Sequence, residues 1–89
     1  MTRDETREKV MEILRQLAPD ADLDALEPDS SLRKELAADS MDVLNFVVAV
    51  YGELGVEIPE QDYARIDRLQ DCVDYIVAAV AAREAKRSR

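Results

Sequence analysis

Apolar residues recur at helical spacing in three stretches of the chain, and no stretch alternates apolar and polar positions as a β-strand does. The first stretch opens with Thr2-x-x-Glu5, which has the form of a helix capping box, and Pro19 closes it. The pattern predicts an all-α fold. The apolar positions are Val10, Ile13, Leu14 and Leu17 in the first helix, and Leu69, Cys72, Val73, Ile76, Val77 and Val80 in the last.

The middle stretch predicts a second helix that begins at Asp39 or Ser40 and ends at Gly55, a favourable residue just past a helix end. This helix is apolar around most of its circumference, which is typical of a helix that is fully enclosed or that presents a second face to a partner. With only three other helical pieces to cover it, a partner surface is one interpretation. The alternative is that Met41 and Leu44 pack under the long first loop. The core-facing positions are predicted as Phe46, Val47, Val50 and Leu54, and the further apolar positions are Met41, Val43, Leu44, Val48 and Tyr51.

A long polar connection over residues 20–38 joins these two helices, and its length favours either a function or a short turn of its own. Ser30-Ser31-Leu32-Arg33-Lys34-Glu35 predicts one such turn with a serine as its cap. A further helical turn is predicted near residues 62–66. Three leucines are expected to anchor the connection to the core, namely Leu23, Leu26 and Leu32.

The length of 89 residues indicates one domain, which we assign to residues 1–82. Residues 83–89 form a basic tail whose only apolar side chain is Ala85, so we expect it to fray. No stretch approaches a membrane span, and the start of the chain lacks the apolar core of a signal peptide. We therefore expect a cytoplasmic protein that acts as a monomer.

The net charge of −8 is concentrated in the middle of the chain, where seven acidic residues and no basic residue occur between positions 35 and 64. These acids would repel the phosphates of a nucleic acid, which argues against that class of partner. A basic protein surface is the natural complement. The alternative is that the charge only keeps a small protein soluble. The seven acids are Glu35, Asp39, Asp42, Glu53, Glu57, Glu60 and Asp62.

Ser40 is the residue whose setting points to chemistry, because it lies at a predicted helix start between Asp39 and Asp42. The chain contains no histidine, so a Ser-His-Asp mechanism is excluded. Ser40 is therefore better read as a hydroxyl that another enzyme modifies, and a helix start favours a phosphate ester there. The alternative is that Ser40 is a plain helix cap.

Two other motifs predict no chemistry. Asp20-x-Asp22-x-Asp24 imitates the start of a calcium loop, but Ala25 replaces the required glycine and Ser31 replaces the closing glutamate. We therefore predict no metal site. Cys72 is the only cysteine and lies on the apolar stripe of the last helix, which predicts a packed thiol rather than a reactive one.

Three segments at concordant spacing resemble the acyl carrier proteins and their peptidyl carrier relatives, over about residues 8–79. Leu36-Ala37-Ala38-Asp39-Ser40-Met41-Asp42 resembles the family signature Leu-Gly-x-Asp-Ser-Leu-Asp. Gly55-Val56-Glu57-Ile58-Pro59 resembles the segment that closes the family's second helix, and Ile66 followed by Val73-Asp74-Tyr75-Ile76 resembles its short third helix and its fourth. The resemblance implies a four-helix bundle made of three main helices, a short third helix and a long first loop.

The resemblance also implies a function and a cofactor. In this family a phosphopantetheinyl transferase attaches 4′-phosphopantetheine from coenzyme A to the signature serine, here Ser40, and the arm's thiol carries acyl groups as thioesters. Asp39 would be the adjacent acid that caps the helix and helps the transferase to bind magnesium. The protein itself would catalyse nothing. Its partners would be the transferase and the acyl-loading and acyl-processing enzymes, with basic or apolar docking surfaces that meet Met41, Asp42, Leu44 and Val48.

Departures from the family pattern favour a specialised carrier. Ala37 stands where glycine is usual, so the turn before the serine is expected to be tighter or shifted. Asn45, Tyr51 and Gly52 stand where acids are usual, which predicts more apolar contact with partners. The favoured function is a freestanding acyl carrier of a fatty-acid, polyketide or specialised acyl pathway. The alternatives are an aminoacyl or peptidyl carrier and, in another class, an unmodified helical adaptor.

Overall fold

A computed structural model describes residues 1–87 and confirms the predicted all-α architecture. Within these residues, four α-helices and two 3₁₀ segments follow one another: α1 (Arg3–Leu17), a 3₁₀ segment (Leu23–Ala25), α2 (Leu32–Glu35), α3 (Ser40–Leu54), a second 3₁₀ segment (Glu60–Ile66) and α4 (Leu69–Arg87). The predicted second helix is thus α3, and the predicted turn with a serine cap is α2, for which Ser31 Oγ accepts a hydrogen bond from the Lys34 N–H at 3.3 Å.

The capping box that the sequence predicts starts α1. Thr2 Oγ1 accepts from the Glu5 N–H at 3.1 Å, and Glu5 Oε1 accepts from the Thr2 N–H at 3.0 Å. The hydrogen bond from the Thr2 backbone lowers the pKa of the Glu5 carboxyl. Leu17, predicted on the apolar stripe, is exposed, because α1 ends there and the side chain lies at a surface cleft.

The core is formed by the apolar faces of α1, α3 and α4, closed by side chains from the connections. Each of these faces follows the helical periodicity of the sequence, and burying them is the main source of stability of so small a bundle. Leu23 and Leu32 anchor the first connection as predicted, and Leu26 packs against the core from a half-buried position. The buried apolar residues of these three helices are Val10, Met11, Ile13, Leu14, Phe46, Val47, Val50, Leu54, Leu69, Cys72, Val73, Ile76 and Val80.

The helical conformation of α4 extends past residue 82, where the predicted tail begins. The helix continues to Arg87, and the half-buried Arg83 donates from Nη1 to the backbone oxygen of Leu54 at the end of α3. A cation favours this position because the last carbonyl groups of a helix are unpaired and carry partial negative charge. Residues 88–89 lie outside the described residues.

The short helix α2 is held against the start of α4. The Asp67 carboxylate accepts hydrogen bonds from Ser31 Oγ at 2.8 Å and from the Arg33 N–H at 3.1 Å. The Leu32 N–H donates to the Asp67 backbone oxygen at 2.7 Å, and one isolated antiparallel bridge pairs Ser31 with Arg68. A four-residue helix is marginal on its own, so these bonds fix its position.

The turn from α2 to α3 passes through Ala37, whose φ of +50° lies in the left-handed region. The Ala38 N–H donates to the Arg33 oxygen at 2.9 Å and the Ala37 N–H to the Lys34 oxygen at 3.4 Å, which is the bonding of a Schellman motif. Alanine thus takes the backbone conformation for which glycine is usual. The alanine at this position therefore does not prevent a left-handed turn.

Candidate functional site

The start of α3 is capped by Asp39 and not by Ser40. The Asp42 N–H donates to Asp39 Oδ1 at 3.0 Å, and the Asp39 N–H donates to Asp42 Oδ2 at 3.0 Å. This reciprocal pair satisfies two backbone donors that a helix start leaves open. The interpretation of Ser40 as a plain cap is therefore wrong, because the residue before it already performs that role.

Ser40 is the first residue of α3, and its side chain is exposed. Within residues 1–87, its hydroxyl forms no hydrogen bond, and the N–H groups of Ser40 and Met41 have no acceptor. Open N–H groups and the positive end of the helix dipole favour an anion at this place. The hydroxyl is thus accessible, chemically uncommitted and suited to bear a phosphate ester.

A cleft of about 720 Å³ lies between the end of α1, α2, the first half of α3 and the second 3₁₀ segment, and Ser40 is among the residues that line it. The lining is mainly apolar. It includes Leu14, Leu32, Leu36, Phe46, Tyr63 and Ile66. A groove of this kind beside a modified serine can take up an apolar group tethered to that serine.

The outer face of α3 is apolar and exposed along its length. The exposed fractions are 62% for Met41, 41% for Leu44, 61% for Val48 and 59% for Tyr51. Four such side chains on one helix form a continuous patch, which marks interaction surfaces more often than isolated apolar residues do. The alternative in which Met41 and Leu44 pack under the first loop is therefore wrong.

The structure brings together only some of the residues that the sequence singled out. Ser40, Met41, Asp42 and Leu44 all contribute to the lining of the cleft. Met41 and Leu44 also belong to the outer face of α3, whereas Val48 belongs to that face alone. Sequence reasoning missed the opposite wall, which comes from the second 3₁₀ segment and from Asp67. No local signal marked that wall, because nothing in the spacing of these residues relates them to Ser40.

Cys72 takes no part in this site. It is buried on α4, and burial raises the pKa of its thiol to about 12. No group of three or more His, Cys, Asp or Glu side chains in the described part of the chain is arranged to hold a metal ion. Among the same residues, no helix is both long enough and apolar enough to cross a membrane.

An accessible serine at the start of a long helix thus lies beside an apolar cleft in a small bundle, an arrangement with room for a group attached to that serine. The family model described as "Phosphopantetheine attachment site" matches residues 8–76. Acyl carrier protein 3 of Ralstonia nicotianae is 38% identical over 69 residues, which cover 78% of this chain and 79% of that protein. The acyl carrier protein of Thermosynechococcus vestitus is 36% identical over 83 residues, covering 92% of this chain and 100% of the relative.

A solved structure of the acyl carrier protein from Enterococcus faecalis superimposes with a TM-score of 0.69 at 30% sequence identity, covering 89% of this chain and 99% of that one. The chain belongs to the acyl carrier protein family. The members of this family are carriers rather than enzymes, and their cofactor is a covalently attached 4′-phosphopantetheine. The exposed hydroxyl and open N–H groups at the start of α3 fit the phosphate end of that group.

Proposed function

We propose that Ser40 bears the 4′-phosphopantetheine arm and that the protein is a freestanding acyl carrier, which holds acyl intermediates as thioesters and moves them between enzymes. The observation that carries this proposal is that two different residues cap α3 and offer a free hydroxyl at its start. Asp39 caps the helix, so Ser40 is left exposed beside the cleft with its hydroxyl unbonded within residues 1–87.

The proposed carrier has no chemistry of its own, and each side chain around Ser40 has a supporting role. Asp39 holds the helix start in shape and offers its second oxygen to the transferase's magnesium. The apolar cleft shelters the acyl chain, because an alkyl group gains about 0.8 kcal/mol for each buried CH₂. The cargo is thereby partly removed from water between enzymes.

The partners are a phosphopantetheinyl transferase and enzymes that load or process the acyl group. They dock on the outer face of α3, where Met41, Leu44 and Val48 supply apolar contact and Asp42 supplies charge. We further propose that the carrier acts as a monomer in the cytoplasm, over a domain that includes residues 1–82, in a fatty-acid, polyketide or specialised acyl pathway.

The aminoacyl or peptidyl carrier uses the same arm and serine, so the site does not separate it from an acyl carrier. The relatives named above are acyl carriers, which supports acyl cargo. An unmodified adaptor has less support, since it requires Ser40 only as a cap and Asp39 already caps α3.

The proposal is tested by coexpression with phosphopantetheinyl transferases of broad specificity. Intact mass should show one phosphopantetheine unit on the wild type, and digestion should map it to Ser40. Ser40→Ala should remain folded and take no arm, and Ser31→Ala, which changes another serine of the same region, should still be modified. A wild type that several active transferases leave unmodified would favour the adaptor.

A further inference from the structure

Most of the charged side chains around Ser40 are negative. Asp39 and Asp42 flank it in the chain, and the capping box holds both carboxylates at the helix start. Glu60 and Asp67 contribute to the same cleft. A phosphodiester on Ser40 adds another negative charge to this group, so the attached arm is stabilised by any cation within a few ångströms.

Of the described residues that line the cleft, Arg33 alone is basic. Its backbone is fixed on both sides, since its N–H donates to Asp67 Oδ1 at 3.1 Å and its carbonyl accepts from the Ala38 N–H at 2.9 Å, two residues before Ser40. Within residues 1–87 its guanidinium takes part in no ion pair or hydrogen bond. The backbone of Arg33 is therefore held in place, its guanidinium has unused hydrogen-bond donors, and the residue lines the same cleft as Ser40.

We propose that Arg33 is a positioning residue for the arm: it pairs with the phosphate on Ser40 and holds the first bonds of the arm along the cleft instead of towards solvent. This inference rests on the proposed attachment at Ser40. Guanidinium groups suit the role because their planar donors match two phosphate oxygens at once. The open N–H groups of Ser40 and Met41 supply further donors.

No carboxylate in the described part of the chain forms an ion pair with Arg33. Asp39 and Asp42 are engaged with each other's backbone N–H groups, and Asp67 accepts from the backbone of Arg33 and from Ser31 Oγ. The guanidinium thus remains available until the modification brings a fixed anion into the cleft. Attachment of the arm is expected to change the surroundings of this one side chain more than those of other cations.

Lys34 provides a matched control. It is the next residue on α2, it is exposed and carries the same charge, and it is not among the residues that line the cleft. The experiment uses apo and holo forms of the wild type, Arg33→Gln and Lys34→Gln, with intact mass showing equal loading of the three holo proteins. The measured quantities are the thermal unfolding midpoint of holo minus apo protein and the NMR shift of the Arg33 Nε–H.

In low salt the wild-type holo protein should unfold a few degrees above the apo protein, and the Arg33 Nε–H signal should move on attachment. The increment should vanish in Arg33→Gln, persist in Lys34→Gln and shrink at high salt, because exposed charge pairs are screened. Three results would overturn this inference alone. The loaded wild type could show no rise in unfolding midpoint over the apo protein, Arg33→Gln could retain the rise, or Lys34→Gln could lose it as fully as Arg33→Gln does. A wild type that accepts no arm would overturn the proposed function as well.

Discussion

Cys72 and the thiol of the proposed arm are expected to react very differently. Burial raises the pKa of Cys72 to about 12, so at pH 8 only about one thiol in 10⁴ is ionised, and the side chain is shielded from solvent as well. The thiol of a mobile arm has neither restriction. A thiol reagent can therefore distinguish the buried Cys72 from the thiol of the arm.

We expect a thiol reagent at pH 8 to label no group in the native apo protein and one group in the native holo protein. In denaturant the counts should rise to one and two. Cys72→Ala is the control: its native holo form should still label once, and its denatured apo form not at all. Rapid labelling of the native apo wild type would show that Cys72 is accessible and that the buried packing of α4 is wrong.

Two helices end at a residue with left-handed backbone, which is alanine in one case and glycine in the other. Exchanging alanine for glycine at the first end and glycine for alanine at the second should change the stability in opposite directions. Ala37 has a φ of +50° after α2, whereas Gly55 has a φ of +66° after α3. Left-handed backbone costs an alanine about 1–2 kcal/mol, partly offset by the greater freedom of glycine in the unfolded chain. Ala37→Gly should therefore raise the free energy of unfolding by about 0.5–1 kcal/mol.

Gly55→Ala is the mirror experiment. Its new Cβ would lie 2.5 Å from Arg83 Nη1, so strain and displacement of Arg83 combine. A loss of about 1–3 kcal/mol is expected, within the range of other strained backbone substitutions. Urea unfolding with an unchanged m-value measures both variants. A destabilised Ala37→Gly protein would mean that the methyl group of Ala37 makes contacts worth more than the strain.

The outer face of α3 should control how long partners stay bound, and its charge should control how fast they arrive. Met41 is 62% exposed, so Met41→Ala removes partner contact without opening the core. A buried apolar anchor is typically worth 1–2 kcal/mol, and we expect about a tenfold faster dissociation from the transferase. Leu44→Ala should act in the same direction, and both substitutions also change the lining of the cleft.

Asp42→Asn should mainly slow association and weaken its salt dependence, since rim charges steer encounters. Asparagine still accepts a hydrogen bond, so the cap of α3 is retained. Asp71→Asn, an exposed acid of α4 outside the cleft, is the matched control. Surface plasmon resonance gives both rates. If folded Met41→Ala dissociates like the wild type, the outer face is not the recognition surface.

The acidic middle of the chain should make the whole bundle sensitive to ionic strength. Of its seven acids, Asp62 alone forms an ion pair within residues 1–87, with Arg65 at 3.7 Å. Repulsion between exposed charges is screened beyond about 8 Å at physiological salt and reaches further in dilute buffer. Their mutual repulsion therefore destabilises the folded state most in dilute buffer.

We expect the thermal unfolding midpoint to rise by several degrees between low and physiological salt. Magnesium chloride and sodium chloride should act alike at equal ionic strength, because screening does not require a specific site. Differential scanning calorimetry measures this directly. A midpoint independent of salt would mean that the acids lie too far apart to interact, and a specific magnesium effect would point to a bound ion.

Much of the fold could be read from local sequence because local forces produce it. Helical spacing of apolar residues located α1, α3 and α4, while Thr2 with Glu5 and the glycine at position 55 marked two helix ends through side-chain capping and left-handed backbone. The signature around Ser40 likewise located the candidate site. Each of these features depends on residues within about one helical turn of one another.

Other features depended on residues distant in sequence and could not be predicted. Arg83 of α4 donates to the backbone oxygen of Leu54 at the end of α3, 29 residues away. Asp67 fixes α2 and so carries Arg33 to the cleft of Ser40. Packing of the three main helices creates these contacts, because it brings together side chains that no sequence spacing relates.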